Sequence, residues 1–388
     1  MTKHPFFRAG LGACLALALV SCGGGGSALP PKTRTGQVYV MGDSLADVGT
    51  FGFKFTVQDA GNAKGFPVWP QLVANVMGVD GSAQCNVYVS TFNPVDYTDV
   101  YTDNPTAGCT NYAIGGSRII VPGKPDTPRN VFRQLQRRAG MGDYAATDLT
   151  LISVGGNDAA DLVGAYLGVN SDGGLAKFQA FLGQQLDTGT RDALLSQPNG
   201  GALAAGAYLQ TLADTFAAQI KSQVLDKGAK RVAVLNIPDI TLTPRFQMVL
   251  QGVALSTNPA TAQAIQAAIR QWIGAFNARL AATFASDARV VVVDFYADFT
   301  EEVSSPASFQ LSDVRSPVCP ITGVDAQGLP NYLFTSCTST VLDGSPPAGQ
   351  GTGWWKSHAF SDGFHPTPYG HQLLTASVSR ALARAGWL

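Results

Sequence analysis

An α/β fold built on a mainly parallel sheet is what this 388-residue sequence predicts, and three observations predict it. Four short apolar runs, at residues 38–41, 148–154, 231–236 and 289–294, carry the near-continuous Val, Leu and Ile content of strands buried on both faces. Stretches with apolar residues at helical spacing separate them, so each step from strand to strand is a crossover. The first two runs stop at polar corners, Gly42-Asp43-Ser44 and Gly155-Gly156-Asn157-Asp158, and in open α/β sheets ligands sit beyond the carboxyl ends of the strands.

The chain starts with a segment of another kind. Residues 1–21 have the layout of a secretory signal: Lys3 and Arg8, an apolar stretch from Ala9 to Val20, then the small Ser21. Leu19-Val20-Ser21-Cys22 resembles the lipobox of bacterial lipoproteins, which implies cleavage before Cys22 and a lipid on its sulfur. Residues 22–36 begin with Gly23 to Gly26 and run through Pro30 and Pro31, as a flexible tether followed by a stiffer spacer. The folded domain is expected over 37–388, without repeats or a second domain. Removal of residues 1–21 leaves 24 basic and 27 acidic residues, a net charge of −3. With only 14% charged residues and no basic cluster, a nucleic-acid partner is excluded, and the expected membrane link is the lipid on Cys22.

In chain order, the corner at Ser44 is expected to expose a hydroxyl above the sheet, where a helix begins. Trp69-Pro70 opens a short helix that Gly78 ends. The polar, turn-rich residues 80–110 read as a surface excursion. Residues 109–117 read as a strand end running into the Gly115-Gly116 turn. Residues 129–139 are amphipathic, with Arg133, Arg137 and Arg138 on a solvated face. Small helices follow over 159–201, long ones over 203–227 and 259–286, and a last one from Pro368 to about Ala385. Residues 300–357 show little periodicity and are expected to form an ordered loop near the site.

Four cysteines remain beyond Cys14 and Cys22, and an exported chain meets an oxidising compartment. Of three possible connectivities, Cys85 with Cys109 and Cys319 with Cys337 is preferred, because each pair closes one loop rich in Pro, Ser, Thr, Asn and Gly. No Cys-x-x-Cys or nearby His supports zinc, and no phosphate-binding glycine motif occurs.

The remaining polar groups match one chemistry. Cleaving an ester at an unactivated serine needs a base, a carboxylate to orient it, and donors for the oxyanion. Ser44, His365, Asp362, Gly116 and Asn157 supply these. The base is narrowed by scarcity: His4 leaves with the signal, His371 lies in the last helix, and His358 sits in a Trp-rich loop. Gly42-Asp43-Ser44-Leu45, Asn111-x-Ala113-x-x-Gly116, Gly155-x-Asn157-Asp158 and Asp362-x-x-His365 stand in the order of the conserved blocks of the GDSL family, the SGNH hydrolases, which the chain resembles over about 37–387.

That resemblance implies a flavodoxin-like three-layer α/β/α sandwich. It implies Ser44 as nucleophile, His365 as general base and acid, and Asp362 as its partner. The backbone N–H groups of Ser44 and Gly116 and the Asn157 side chain would hold the oxyanion, with Gly115 serving if the turn shifts by one residue. No metal or cofactor is expected. Short- to medium-chain carboxylic esters are the first substrate class; phospholipid esters, polysaccharide deacetylation and acyl transfer stay open, as does a non-catalytic binding lipoprotein. Phe53, Phe55, Phe66, Trp354 and Trp355 are candidate cleft walls.

Overall fold

A computed structural model describes residues 34–91 and 100–388. The signal segment, Cys22 and nearly all of the expected tether lie outside the described residues. Four parallel strands, β1 (Val38–Gly42), β4 (Leu149–Ser153), β5 (Val232–Leu235) and β6 (Val290–Val293), stand side by side in the order β1-β4-β5-β6. Residues 110–114 pair in parallel with the free side of β1, through Val40 N–H to the Thr110 carbonyl and Tyr112 N–H to the Val40 carbonyl. The sheet is thus extended to the strand order of a flavodoxin-like sandwich.

Alternation along each strand divides the core. Val38, Val40, Leu149, Leu151, Ala233, Leu235 and Val293 pack with α1 (Trp69–Val76), α9 (Phe295–Ser304) and α11 (Pro368–Arg384). Met41, Ile152, Val232, Val234 and Val290 face α2 (Val131–Ala139), α3 (Gly156–Leu167), α6 (Gly200–Ile220) and α8 (Pro259–Phe284). Helices on both faces of one sheet make the three-layer sandwich expected. Several begin as the sequence signals: Asn258 accepts the Thr261 N–H ahead of Pro259, and Thr367 accepts the Gly370 N–H ahead of Pro368.

Other expectations change. The excursion over 80–110 contains an antiparallel ribbon, β2 (Tyr88–Ser90) with β3 (Tyr101–Asp103). Arg138 is buried, not solvated: its guanidinium lies 4.0 Å from the ring centres of both Tyr39 and Tyr144. Arg133 and Arg137 do face solvent, paired with Asp126 and Asp103. The helix expected to run to residue 227 ends at Ile220 in a π-turn, Lys221–Leu225. Over 159–201 stand the rest of α3, α4 (Gly174–Leu182) and α5 (Thr188–Leu195), and α7 (Pro244–Ser256) was not anticipated. Residues 300–357 start inside α9 and hold a hairpin, β7 (Ile321–Val324) with β8 (Pro330–Tyr332), and α10 (Ser339–Gly344).

Both preferred disulfides are present, Cys85–Cys109 and Cys319–Cys337. Among the described residues no helix is long and apolar enough to cross a membrane.

Candidate active site

The carboxyl end of β1 is crowded, and that crowding sets the serine. Gly42 has φ +152°, and a Cβ there would lie 2.2 Å from the Ser153 carbonyl oxygen, so only glycine lets β1 run this close to β4. Gln134 of α2 clamps the same residue: its Oε1 accepts the Gly42 N–H at 2.8 Å, and its Nε2 donates to the Gly42 carbonyl and the Ser117 hydroxyl. The chain then turns once, with the Ala46 and Asp47 N–H groups both donating to the Asp43 carbonyl. No helix follows, so the expected helix start is reduced to a single turn. Ser44 sits on it, 8% exposed.

A second element brings the imidazole. Residues 359–367 lead into α11, and within them Asp362 takes two backbone N–H groups, from Phe364 at 2.8 Å and His365 at 2.7 Å. The same carboxylate lies 2.8 and 2.9 Å from His365 Nδ1. A carboxylate at that distance accepts the Nδ1 proton, which leaves Nε2 as an acceptor. Ser44 Oγ is 2.7 Å from Nε2 and donates to it. Burial works to raise the Asp362 pKa, but the facing His365 and the N–H donors outweigh it, and the carboxyl lies below its ordinary value. Phe55 and Phe334 pack on the imidazole with ring centres 5.1 and 5.4 Å away, which limits its rotation. The arm is braced from behind, since the Val318 and Cys319 N–H groups donate to the Phe360 and Ser361 carbonyls. The Cys319–Cys337 bridge therefore ties the loop carrying Phe334 to the segment carrying His365.

Across the cleft lies the glycine turn. Gly116 has φ +77° and Gly115 precedes it. The two differ in what their amides do: the Gly115 N–H donates to Asp47 Oδ2 at 2.8 Å, whereas among the described residues the N–H groups of Gly116 and Ser44 have no protein acceptor. Of the two glycines, Gly116 is therefore the one whose N–H is left free of a protein acceptor among the described residues. Asp47, fully buried, also accepts the Gly49 and Thr50 N–H groups, so one carboxylate ties the serine turn to the glycine turn. Asn157, at the start of α3, donates one amide proton to the Ser117 carbonyl at 3.0 Å and has a second to offer. Its neighbour Asp158 accepts the Ile119 and Ile120 N–H groups, and burial pushes its carboxyl up to about 7.

Ser44, Gly116, Asn157 and His365 thus line one cleft of about 260 Å³, with Leu45, Pro238, Ile240 and Phe364 among its apolar walls. Of the five aromatic residues expected there only Phe55 lines it. Trp355 is buried against Phe66, and Trp354 gives its indole N–H to the Leu342 carbonyl. His358 and His371 are buried away from the cleft lining, and burial pushes His371 down to about 3. Sequence reasoning missed Gln134, which carries no motif, and Phe364, whose neighbours Asp362 and His365 were its only signal.

The comparisons agree with this geometry. The family described as GDSL-like Lipase/Acylhydrolase matches residues 38–378. The chain is also 26% identical, over 389 aligned residues, to an uncharacterized protein in the trpE-trpG intergenic region of Pseudomonas putida. That alignment takes in 100% of this chain and 54% of the other, so the chain spans about half the length of the curated relative it matches.

Proposed function

The chain belongs to the GDSL-like lipase/acylhydrolase family, hydrolases of the esterase and lipase type, and from that premise we propose that it hydrolyses carboxylic esters through an acyl-enzyme on Ser44. The observation that carries this reading is the hydrogen-bonded chain from Ser44 Oγ to His365 Nε2 at 2.7 Å and from His365 Nδ1 to Asp362 at 2.8 Å. His365 takes the hydroxyl proton as Ser44 attacks the acyl carbon, and Asp362 stabilises the imidazolium that forms. The carbonyl oxygen, now an anion, is held by the Ser44 and Gly116 N–H groups and the second amide proton of Asn157. His365 then protonates the departing alcohol, and water, deprotonated by the same imidazole, releases the acid.

The experiment is intact-mass analysis after a fluorophosphonate probe, with ester turnover measured on the same preparation. One adduct is expected on the wild type and none on Ser44→Ala, whose turnover falls by at least ~10³-fold. A labelled, active Ser44→Ala protein would sink the assignment. For the cellular setting, we propose export and anchoring by a lipid on Cys22, which a fatty-acid label lost in Cys22→Ala would support.

A further inference from the structure

Leu45, Pro238, Thr243 and Phe364 line the catalytic cleft on one side and a second, less open chamber of about 50 Å³ on the other. The far walls of that chamber are apolar: Phe299 and Val303 from α9, Phe360 from the arm before Asp362, and Leu373 and Leu374 from α11. One carboxyl interrupts them. Glu302 is 7% exposed, lines the chamber, and has no hydrogen-bond or ion-pair partner among the described residues. A small apolar space with one polar group, next to a reactive serine, has the make-up of a ligand subsite.

Resting on the ester-hydrolase reading above, we propose that this chamber receives the end of the substrate's acyl chain, with Leu45 and Phe364 as the side-chain gate between the two spaces and Glu302 as part of the chamber wall. The gate residues are chain neighbours of the two reacting groups, Ser44 and His365. An acyl group on Ser44 therefore starts beside Leu45, and both gate side chains are only half-buried. Chamber size sets the class: at roughly 30 Å³ per water-sized volume, its 50 Å³ or so admits only the last one or two carbons of a chain. An acetyl group stays in the cleft and never reaches it. A medium, unbranched acyl chain reaches it and gains from its apolar walls.

Glu302 makes that gain depend on pH. Burial pushes its carboxyl up to about 8, with Asp298 and Glu301 on its own helix adding to the effect and Arg380 of α11 opposing it. Among the described residues no other titratable side chain lines the chamber. Below about 8 the carboxyl is neutral and tolerates a hydrocarbon; above it, a chain end would bury a charge.

The test is the ratio of kcat/KM for p-nitrophenyl hexanoate to that for the acetate, background-subtracted, at about pH 7 and about pH 9. Any effect of pH common to both esters cancels in this ratio. Val303→Phe fills the chamber and is expected to lower the ratio roughly tenfold with acetate turnover unchanged. In the wild type the ratio is expected to fall between the two pH values, and in Glu302→Gln to stay level. Should Val303→Phe fail to fold, Leu373→Phe and the Glu302→Gln pair make the same test. Active wild-type protein whose ratio is indifferent to these changes overturns the chamber and leaves the ester reading standing. Absence of acetate turnover together with no fluorophosphonate adduct overturns the ester reading itself.

Discussion

The two sides of the cleft are held in opposite ways. On the Asp362–His365 side the arm is braced by distant backbone bonds, but the contacts of the carboxylate itself are local: it satisfies two backbone N–H groups and one imidazole, all within three residues. On the Ser44–Gly116 side they are distant. Gln134 reaches back 92 residues to Gly42, Asp47 reaches 68 residues to Gly115, and Asn111 gives its amide to the Ala46 carbonyl 65 residues away. A local turn forms wherever its residues are adjacent in the chain, whereas the serine side exists only once the sheet is assembled. Chemistry and stability should therefore separate on one side and travel together on the other.

Asp362→Asn probes the local side and carries the largest expected effect. Asparagine keeps the Oδ1 oxygen that accepts the Phe364 and His365 N–H groups, so the turn persists and the fold should melt near the wild-type temperature. The neutral amide cannot both hold the Nδ1 proton and stabilise an imidazolium, and kcat/KM should drop on the order of 10⁴-fold. A melting temperature that collapses along with activity would show that this side is structural after all. Gln134→Leu probes the distant side. It leaves the buried Gly42 N–H without a partner and removes the amide donor to the Ser117 hydroxyl, at a cost of about 3 kcal/mol. Thermal melting and kcat should fall together, kcat by roughly tenfold as the serine corner loosens. Lost stability with full activity would break the comparison.

The same contrast explains what the sequence made legible. Asp362-x-x-His365 is a turn whose internal contacts are written in its spacing, and the apolar runs ending at Gly42 and Gly155 announce sheet and corners alike. Gln134 and Arg138 lie in an amphipathic stretch where polar residues ordinarily mean solvent. Their burial depends on what packs there, on Gly42 and Ser117 for one and on the Tyr39 and Tyr144 rings for the other. Pattern reasoning cannot see a partner that only the assembled sheet supplies. The α7 helix escaped for a related reason: only Pro244, Phe246 and Leu250 are buried along its length, too sparse a face to mark the period. Glu302 is the converse case, an acid in a helix flank that nothing in the sequence separates from its exposed neighbour Glu301.

Asp43 gives the smallest and sharpest test, because it belongs to the serine side yet faces His365. Burial pushes its carboxyl up from 3.8 to about 6, against the opposing pull of the Leu45 N–H and of His365. A folded-state pKa above the unfolded value means the fold binds the proton more tightly. The stability Asp43 contributes is therefore complete below the unfolded pKa and is lost as pH rises through about 6. Two units correspond to at most about 3 kcal/mol of penalty at pH near 8. Asp43→Asn keeps an oxygen for the Leu45 N–H, which Asp43 accepts at 3.1 Å, and removes the charge. Its melting temperature should exceed that of the wild type at about pH 8 and match it near pH 4, where both side chains are neutral. Turnover should move the other way, by a few-fold at most, because in the proposed mechanism the Asp43 charge favours the imidazolium formed as Ser44 attacks. A variant less stable than wild type at both pH values would mean that the Asp43 carboxylate supports the corner as Gln134 does, and that the serine side tolerates no loss of polar contact even where burial penalises the charge.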